Sequence, residues 1–140
     1  MLDANILIYA HNPKAPEHRQ VREWLEGVLS GHESVALPWI TIWAFIRITT
    51  NRHVNPRLQS STVVFRAIEK LIGHPSVRLI QPGPRHLEIL ERHAIAGQAF
   101  GGLITDATLA ALATEYGASL ASTDTDFARF TDLKWINPLS

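Results

Sequence analysis

The sequence predicts an α/β domain with helices on both faces of a central parallel sheet, giving an α/β/α sandwich of about five strands.

 Three observations predict it. Short apolar runs of about four residues alternate with longer segments of helical period along the whole chain. The length of 140 residues, 46% of them hydrophobic, suits one domain with its own core. No stretch has the composition of a linker, and there is no internal repeat. We therefore expect residues 1–140 to form a single domain.

The first half of the chain supplies a short strand, a second strand and three helices. MLDANILIYA at 1–10 begins with a strand that ends at Asp3 and continues as an apolar helix. Residues 17–29 carry apolar side chains at i, i+3, i+4 and i+7, which is typical of an amphipathic helix. SVAL at 34–37 predicts the second strand. WITIWAFIRITTN at 39–51 is apolar on nearly every side, and its length and the preceding proline favour a helix over a strand.

The second half of the chain repeats the alternation of helix and strand. After a loop at 51–57, we predict helices at 60–72, from Pro84 onward and around Asp106, and strands at 77–80, 119–122 and 134–138. Gly73 and Gly117 follow two of these helices as C-terminal stops. Strands separated by helices pair in parallel, because a helical crossover returns the chain to the same edge of the sheet.

Four aspartates lie at positions where functional sites commonly form in a parallel sheet. Asp124 and Asp126 follow the carboxyl end of a predicted strand, as Asp3 does, and Asp106 opens a helix. Carboxylates gathered at one edge repel each other unless a cation lies between them, and hard cations such as Mg²⁺ or Mn²⁺ prefer oxygen ligands. The sequence therefore predicts one metal site with four ligands: Asp3, Asp106, Asp124 and Asp126.

Two of these aspartates also have a local interpretation. Asp106 would be favoured near a helix N-terminus by the helix dipole, and Asp126 could cap the turn that begins at Phe127. Asp3 and Asp124 follow apolar strands, where nothing local requires a carboxylate. The metal interpretation depends on all four acids together rather than on any one of them.

Composition excludes several other kinds of site. The chain has no cysteine, which excludes disulfides, thiolate zinc sites and cysteine nucleophiles. Its seven histidines include no pair at the i, i+4 spacing of a zinc helix. No apolar stretch is long enough to span a bilayer and no segment resembles a signal peptide, so we expect a cytoplasmic protein with no membrane partner.

Basic residues are unevenly distributed although the net charge is zero. Seven lie between positions 47 and 85, opposed only by Glu69: Arg47, Arg52, Arg57, Arg66, Lys70, Arg78 and Arg85. One interpretation is a segment that holds nucleic-acid phosphates beside the acidic site, with Arg52 and Arg57 as RNA-binding residues. The other is a solvated helical face.

Four segments carry a resemblance to a known family: LDANILIYA at 2–10, LPWITIWAFIRITTNRHV at 37–54, ITDATLAALATEYGASLASTDTDFARF at 104–130 and LKWINP at 133–138. In this order they resemble the PIN-domain ribonucleases, in particular the VapC toxins of bacterial toxin–antitoxin pairs. The resemblance implies a PIN-like fold and a Mg²⁺- or Mn²⁺-dependent endoribonuclease that acts on RNA. It also implies a cognate VapB-like antitoxin that inserts into the active-site groove. Separately from the resemblance, we expect the chain to form a homodimer.

The resemblance also assigns residues by position. Asp3, Asp106, Asp124 and Asp126 match the acidic set. Ser122 matches the hydroxyl residue that precedes the Asp pair in the family, and Asn5 matches the small polar residue after the first Asp, so both would be supporting contacts. Many members carry a glutamate on the helix after the second strand, where this chain has Ala44. We interpret this departure as a trait of a subgroup, and it leaves open whether one or two metal ions bind.

Three functional classes remain open at this point. The first is the metal-dependent ribonuclease toxin, and the second is a nuclease of the same fold that processes RNA or acts on DNA. The third is a catalytically weak module that only binds its partner. The four acids favour an enzyme, and the small size favours a toxin. The apolar helix at 39–51 and the stripe on the helix at 17–29 exceed what one sheet face covers, so we expect part of this surface to bind another chain.

Overall fold

The computed structural model describes residues 1–51 and 61–140. Its α-helices are α1 (Ala4–His11), α2 (His18–Leu29), α3 (Trp39–Thr49), α4 (Ser61–Ile72), α5 (His86–Ala96) and α6 (Leu103–Glu115). Its strands are β1 (Val35–Pro38), β2 (Val77–Ile80), β3 (Leu120–Ala121) and β4 (Trp135–Ile136), and a 3₁₀ helix covers Thr125–Arg129. Each helix predicted within these residues is present, and so is each predicted strand except the N-terminal one, with boundaries that differ by a few residues.

The strands pair in parallel, as the alternation of helix and strand predicts. β1 pairs with β2, with Val35 opposite Val77, and β3 pairs with β4, with Leu120 opposite Trp135. The first residues of the chain lie between the two pairs. The Leu2 amide donates to the Ala36 carbonyl at 3.1 Å, and the Ala121 amide donates to the Met1 carbonyl at 2.8 Å.

The prediction of about five strands is not confirmed. The described residues contain four short strands in two pairs, and the N-terminal segment adds a single parallel bridge between Leu2 and Ala121. The physical reason is the position of α1, which begins at Ala4 and leaves three residues for extended pairing. This segment nevertheless hydrogen-bonds to both pairs, and it places Asp3 beside the end of β3.

Two hydrophobic clusters support the sheet. One contains buried side chains of α1, α2, α3 and α4 together with β1, for example Ile6, Val21 and Phe45. The other lies beneath α6 and includes Leu112, Leu120 and the two phenylalanines that follow β3. α6 contributes a run of alanines to it, which allows the helix to lie close to the sheet.

The two apolar surfaces predicted to need a partner differ in the structure. The α2 stripe is covered by the chain itself, since Val21 and Leu25 are buried where α2 packs on α1. On α3, by contrast, Trp43 is 63% exposed and Trp39 is 38% exposed, and their rings lie 6.5 Å apart. The candidate partner surface is therefore reduced to α3. Arg47, on the same helix, is exposed rather than inserted into the core.

The predicted loop at 51–57 lies almost entirely outside the described residues, and so do Arg52 and Arg57. Within the described part of the chain, no helix has the length and apolar character needed to cross a membrane.

Candidate metal centre

The fold brings the predicted acids to one edge of the sheet from three separate segments. Asp3 ends the N-terminal segment and begins α1, where one of its oxygens accepts a hydrogen bond from the Ala4 amide at 2.7 Å. Asp124 and Asp126 follow β3, and the Asp124 carboxylate caps the 3₁₀ helix by accepting from the Asp126 amide at 2.9 Å. Asp106 lies in the first turn of α6. The local capping interpretation is thus realised at Asp124 rather than at Asp126.

Three of the four carboxylates form a cluster. One oxygen each of Asp106, Asp124 and Asp126 lie within 4.8 Å of one another. We call this cluster the acidic triad. Burial raises the pKa of Asp106 to about 6, and the charges of Asp124, Asp3 and Asp126 add to the shift. The triad is therefore a place where negative charge accumulates and where a proton or a metal cation is favoured.

Asp3 lies beside the triad and is held by a hydrogen-bond network of its own. Its second oxygen accepts from the Ser122 hydroxyl at 2.7 Å and from the Asn5 amide at 3.1 Å. Burial raises the pKa of Asp3, the bonds from Ser122 and Ala4 act in the opposite direction, and the charge of Asp124 raises it further. Asp3 is therefore electrostatically coupled to the triad through Asp124.

Ser122 is the centre of this network. It is fully buried, and its hydroxyl donates to Asp3 while it accepts from the Asn5 side chain at 3.0 Å and from the Asp124 amide at 3.1 Å. The side-chain oxygen of Asn5, Oδ1, accepts in turn from the Thr123 backbone amide at 3.2 Å. A hydroxyl offers one donor and two acceptor positions, so all three are used. The two predicted supporting residues thus connect Asp3 to the loop that carries Asp124.

A further charged residue that the sequence analysis did not select lies at the same edge. Arg129 ends the 3₁₀ helix, and its Nη2 lies 3.8 Å from an Asp126 oxygen. Its positive charge lowers the pKa of Asp106, opposing the three aspartates. The available signal was its position three residues after Asp126, a spacing at which side chains meet in a helical turn.

The donor set fits a hard divalent cation. The triad offers carboxylate oxygens, and the described residues bring neither a thiolate nor a histidine into the same cluster. Oxygen-only sites of this kind suit Mg²⁺, Mn²⁺ or Ca²⁺ rather than zinc. The fold and the site together define an α/β domain with a carboxylate centre at the carboxyl ends of its strands.

Comparison with known proteins agrees with this description. The family model for the PIN domain matches residues 1–133. Ribonuclease VapC37 of Mycobacterium tuberculosis is 36% identical over 138 residues, which cover 99% of this chain and 96% of that protein. Ribonuclease VapC43 of the same species is 37% identical over 138 residues, covering 99% and 94%. The chain therefore belongs to the PIN domain family, and within that family to the VapC ribonucleases.

Solved structures show the same fold. The structure of VapBC-1 from nontypeable Haemophilus influenzae has a TM-score of 0.73 at 23% identity and covers 100% of this chain and 98% of that chain. The structure of FitAcB from Neisseria gonorrhoeae has a TM-score of 0.67 at 20% identity and covers 99% and 96%. At these identities the comparison concerns the fold alone, and it supports the PIN-like α/β architecture.

Proposed function

We propose that this protein is a Mg²⁺- or Mn²⁺-dependent endoribonuclease, the toxin of a toxin–antitoxin pair, acting through a single domain over residues 1–140. Its proposed centre consists of four residues: Asp3, Asp106, Asp124 and Asp126. The observation that carries the proposal is the acidic triad, three carboxylates within 4.8 Å at the carboxyl edge of a parallel sheet. The names of its relatives, which are ribonucleases, support the choice of substrate.

Hydrolysis of a phosphodiester requires one exchange of bonds at phosphorus and two proton transfers. A water oxygen bonds to phosphorus as the bond to the leaving oxygen breaks, one proton leaves the water, and the leaving oxygen takes up a proton. A divalent cation held by the carboxylates would supply Lewis-acid activation and charge neutralisation. The protein's own residues hold that cation and orient the water, and one of the carboxylates accepts the proton.

The supporting residues would act by fixing carboxylate positions. Ser122 and Asn5 together occupy one oxygen of Asp3 and leave few alternative orientations for that side chain. Ser122 also holds the Asp124 amide, so the backbone of the 122–124 loop is set by the same hydroxyl. Ala44 brings no carboxylate from α3. The acidic set that we propose is therefore confined to the four aspartates.

Substitution of Asp124 tests this proposal. The Asp124→Asn variant keeps the size of the side chain and an acceptor for the Asp126 amide, so the fold should survive while Mn²⁺ binding and RNA cleavage are lost. Mn²⁺ binding by calorimetry and cleavage of a labelled RNA are the two measurements, with Asp132→Asn, a carboxylate outside the set, as the matched control. Wild-type cleavage by Asp124→Asn would reject the site, and cleavage of single-stranded DNA as readily as RNA would favour a DNA nuclease.

The partner that we propose is a VapB-like antitoxin, with a homodimer as the assembled form. The solved structure from Haemophilus influenzae that shares this fold is a structure of VapBC-1. In this chain, the exposed pair of Trp39 and Trp43 is the apolar surface that the fold leaves uncovered on α3. Light scattering and co-expression with the adjacent gene test this. A strict monomer that captures no small partner would contradict it.

We propose that selectivity for RNA comes from the way the protein positions the sugar–phosphate backbone of the RNA. RNA is most readily distinguished at unstacked loops, and basic side chains set the register of the phosphates. Arg52 and Arg57 are the proposed contacts, and both lie outside the described residues. Replacing both by alanine should reduce the salt dependence of RNA binding by up to about one unit of slope for each lost contact. An unchanged slope, measured in the Asp124→Asn background, would place the RNA path elsewhere.

A further inference from the structure

Arg129 presents a cation at the edge of the acidic triad, paired with Asp126 at a distance too long for a hydrogen bond. Its side chain is 30% exposed, and its Nη2 lies 3.8 Å from Asp126, which is beyond hydrogen-bonding distance. Its Nη1 donates to the Gly97 carbonyl at 3.1 Å. The guanidinium is therefore anchored on one side, while the Nη2 donors that face Asp126 are not used in a hydrogen bond to it.

The backbone on both sides of the Arg129–Gly97 hydrogen bond is closely packed. Gly97 follows α5, and a Cβ there would lie 2.8 Å from two ring carbons of Phe130. Phe130 is buried and packs edge-on against His93, with ring centroids 5.9 Å apart. The end of the 3₁₀ helix is thus packed against the end of α5, and the hydrogen bond from Arg129 to Gly97 lies beside this contact.

The hydrogen bonds of this side chain are also incomplete. Arg129 Nε is buried and has no hydrogen-bond partner among the described residues. An unpaired buried donor is unfavourable, and such groups are rare in folded proteins. Within residues 1–51 and 61–140, the guanidinium thus makes one hydrogen bond, to Gly97, while it lies beside Asp126 of the triad.

From this geometry we infer that Arg129 is a catalytic residue that contacts the phosphate of the scissile bond through its Nη2 donors. Arginine is well suited to this role, because its planar fork matches phosphate oxygens and keeps its charge at every working pH. As the water attacks a phosphate bound beside the acidic triad, negative charge builds on the non-bridging oxygens. A preorganised donor aimed at those oxygens stabilises this charge. The inference rests on the proposed ribonuclease function.

Three variants test the inference. Arg129→Ala removes the guanidinium, Arg129→Lys keeps a charge without the planar fork, and Arg19→Ala removes an exposed arginine that pairs with Glu23 on α2. Single-turnover cleavage of a labelled RNA and Mn²⁺ binding by calorimetry are measured for each. We expect Arg129→Ala to cleave roughly 100-fold more slowly and Arg129→Lys roughly tenfold more slowly, with Mn²⁺ affinity within about threefold of the wild type. Arg19→Ala should match the wild type.

Chemical rescue separates a phosphate contact from a structural role. Guanidinium chloride at low millimolar concentration should restore part of the cleavage by Arg129→Ala and should leave Arg19→Ala unchanged. If Arg129→Ala cleaves like the wild type, or loses Mn²⁺ affinity in proportion to its rate, Arg129 is not a phosphate contact. Should Arg129→Ala fail to fold, a wild-type rate in Arg129→Lys would overturn the inference, and a slower rate with normal Mn²⁺ affinity would support it. Absence of cleavage by the wild-type protein would instead refute the ribonuclease function.

Discussion

The two halves of the candidate centre are held in different ways. On one side, Asp3 is surrounded by donors from Ala4, Asn5 and Ser122, and Ser122 uses every position that a hydroxyl offers. On the other side, the acidic triad brings three carboxylates within 4.8 Å with Arg129 as a distant counter-charge. The first half is complete in the metal-free protein. We propose that the second half binds a cation, so that in the metal-free protein a substitution should lower the free energy of unfolding in the first half and raise it in the second.

The largest expected effect is the loss of metal binding when the triad loses a charge. In Asp106→Asn or Asp124→Asn, we expect Mn²⁺ affinity to fall by at least roughly 100-fold. The reason is that the neighbouring carboxylates cannot replace a direct ligand of the metal. Calorimetry with Mn²⁺ measures it. Retained affinity in both variants would show that the triad is not the metal-binding half.

The next effect is a loss of stability when the network around Asp3 is broken. Ser122→Ala removes a buried hydroxyl that donates to Asp3 and accepts from the partly buried Asn5 side chain and Asp124 amide, and we expect the free energy of unfolding to fall by about 2–3 kcal/mol. Urea unfolding measures it. Ser30→Ala is the control, because that hydroxyl makes one exposed bond to the Glu26 carbonyl and its loss should cost under about 0.5 kcal/mol. Equal effects of the two substitutions would contradict the difference between the halves.

Metal binding should depend on pH through Asp106. Its pKa is raised to about 6, so a proton competes with the cation below that value. We expect Mn²⁺ affinity to be constant above about pH 7 and to fall by up to tenfold for each pH unit below about 6. Calorimetry across pH 5–8 checks this. Affinity that does not change across this range would show that Asp106 is already ionised in the metal-free protein.

The smallest expected effect has the opposite sign to that at Ser122. The folded protein binds a proton at Asp106 more tightly than the unfolded chain does, so the metal-free protein loses stability as the pH rises from about 4 to 6. Asp106→Asn removes this loss. Because Asp106 is partly exposed, we expect a gain of about 1 kcal/mol at pH 7 that vanishes near pH 4. Urea unfolding at both pH values measures it, and a loss of stability at pH 7 would contradict it.

The sequence predicted the two halves unequally. Asp3, Asp124 and Asp126 follow strands, and the rule that sites form at the carboxyl edge of a parallel sheet was enough to group them. The roles of Asn5 and Ser122 came from the family resemblance, and their hydrogen bonds became visible only when residues 117 to 119 positions apart were brought together. Arg129 was missed because its bond to Gly97 depends on how the 3₁₀ helix meets α5, which no local pattern specifies.

The number of strands was not predictable for a related reason. Local apolar runs mark where strands lie, but pairing in the centre of this sheet is made by only two or three residues before α1 begins. A run this short has no periodicity to read. The helices were predicted more closely because each spans two or more turns of repeating apolar positions, as α2 and α4 show.

The contact between Ser122 and Asp3 also has a consequence for the time at which the protein becomes active during synthesis. The two residues are 119 positions apart, and Leu2 pairs with Ala121 in the same way. Contacts between such distant positions close late, because the intervening chain must first be made and ordered. A nascent chain that ends before β3 lacks Asp124 and Asp126, and its first residues can pair with β1 but not with β3. The proposed centre would therefore assemble only after most of the chain has been synthesised, which leaves an interval in which a partner synthesised alongside can bind first.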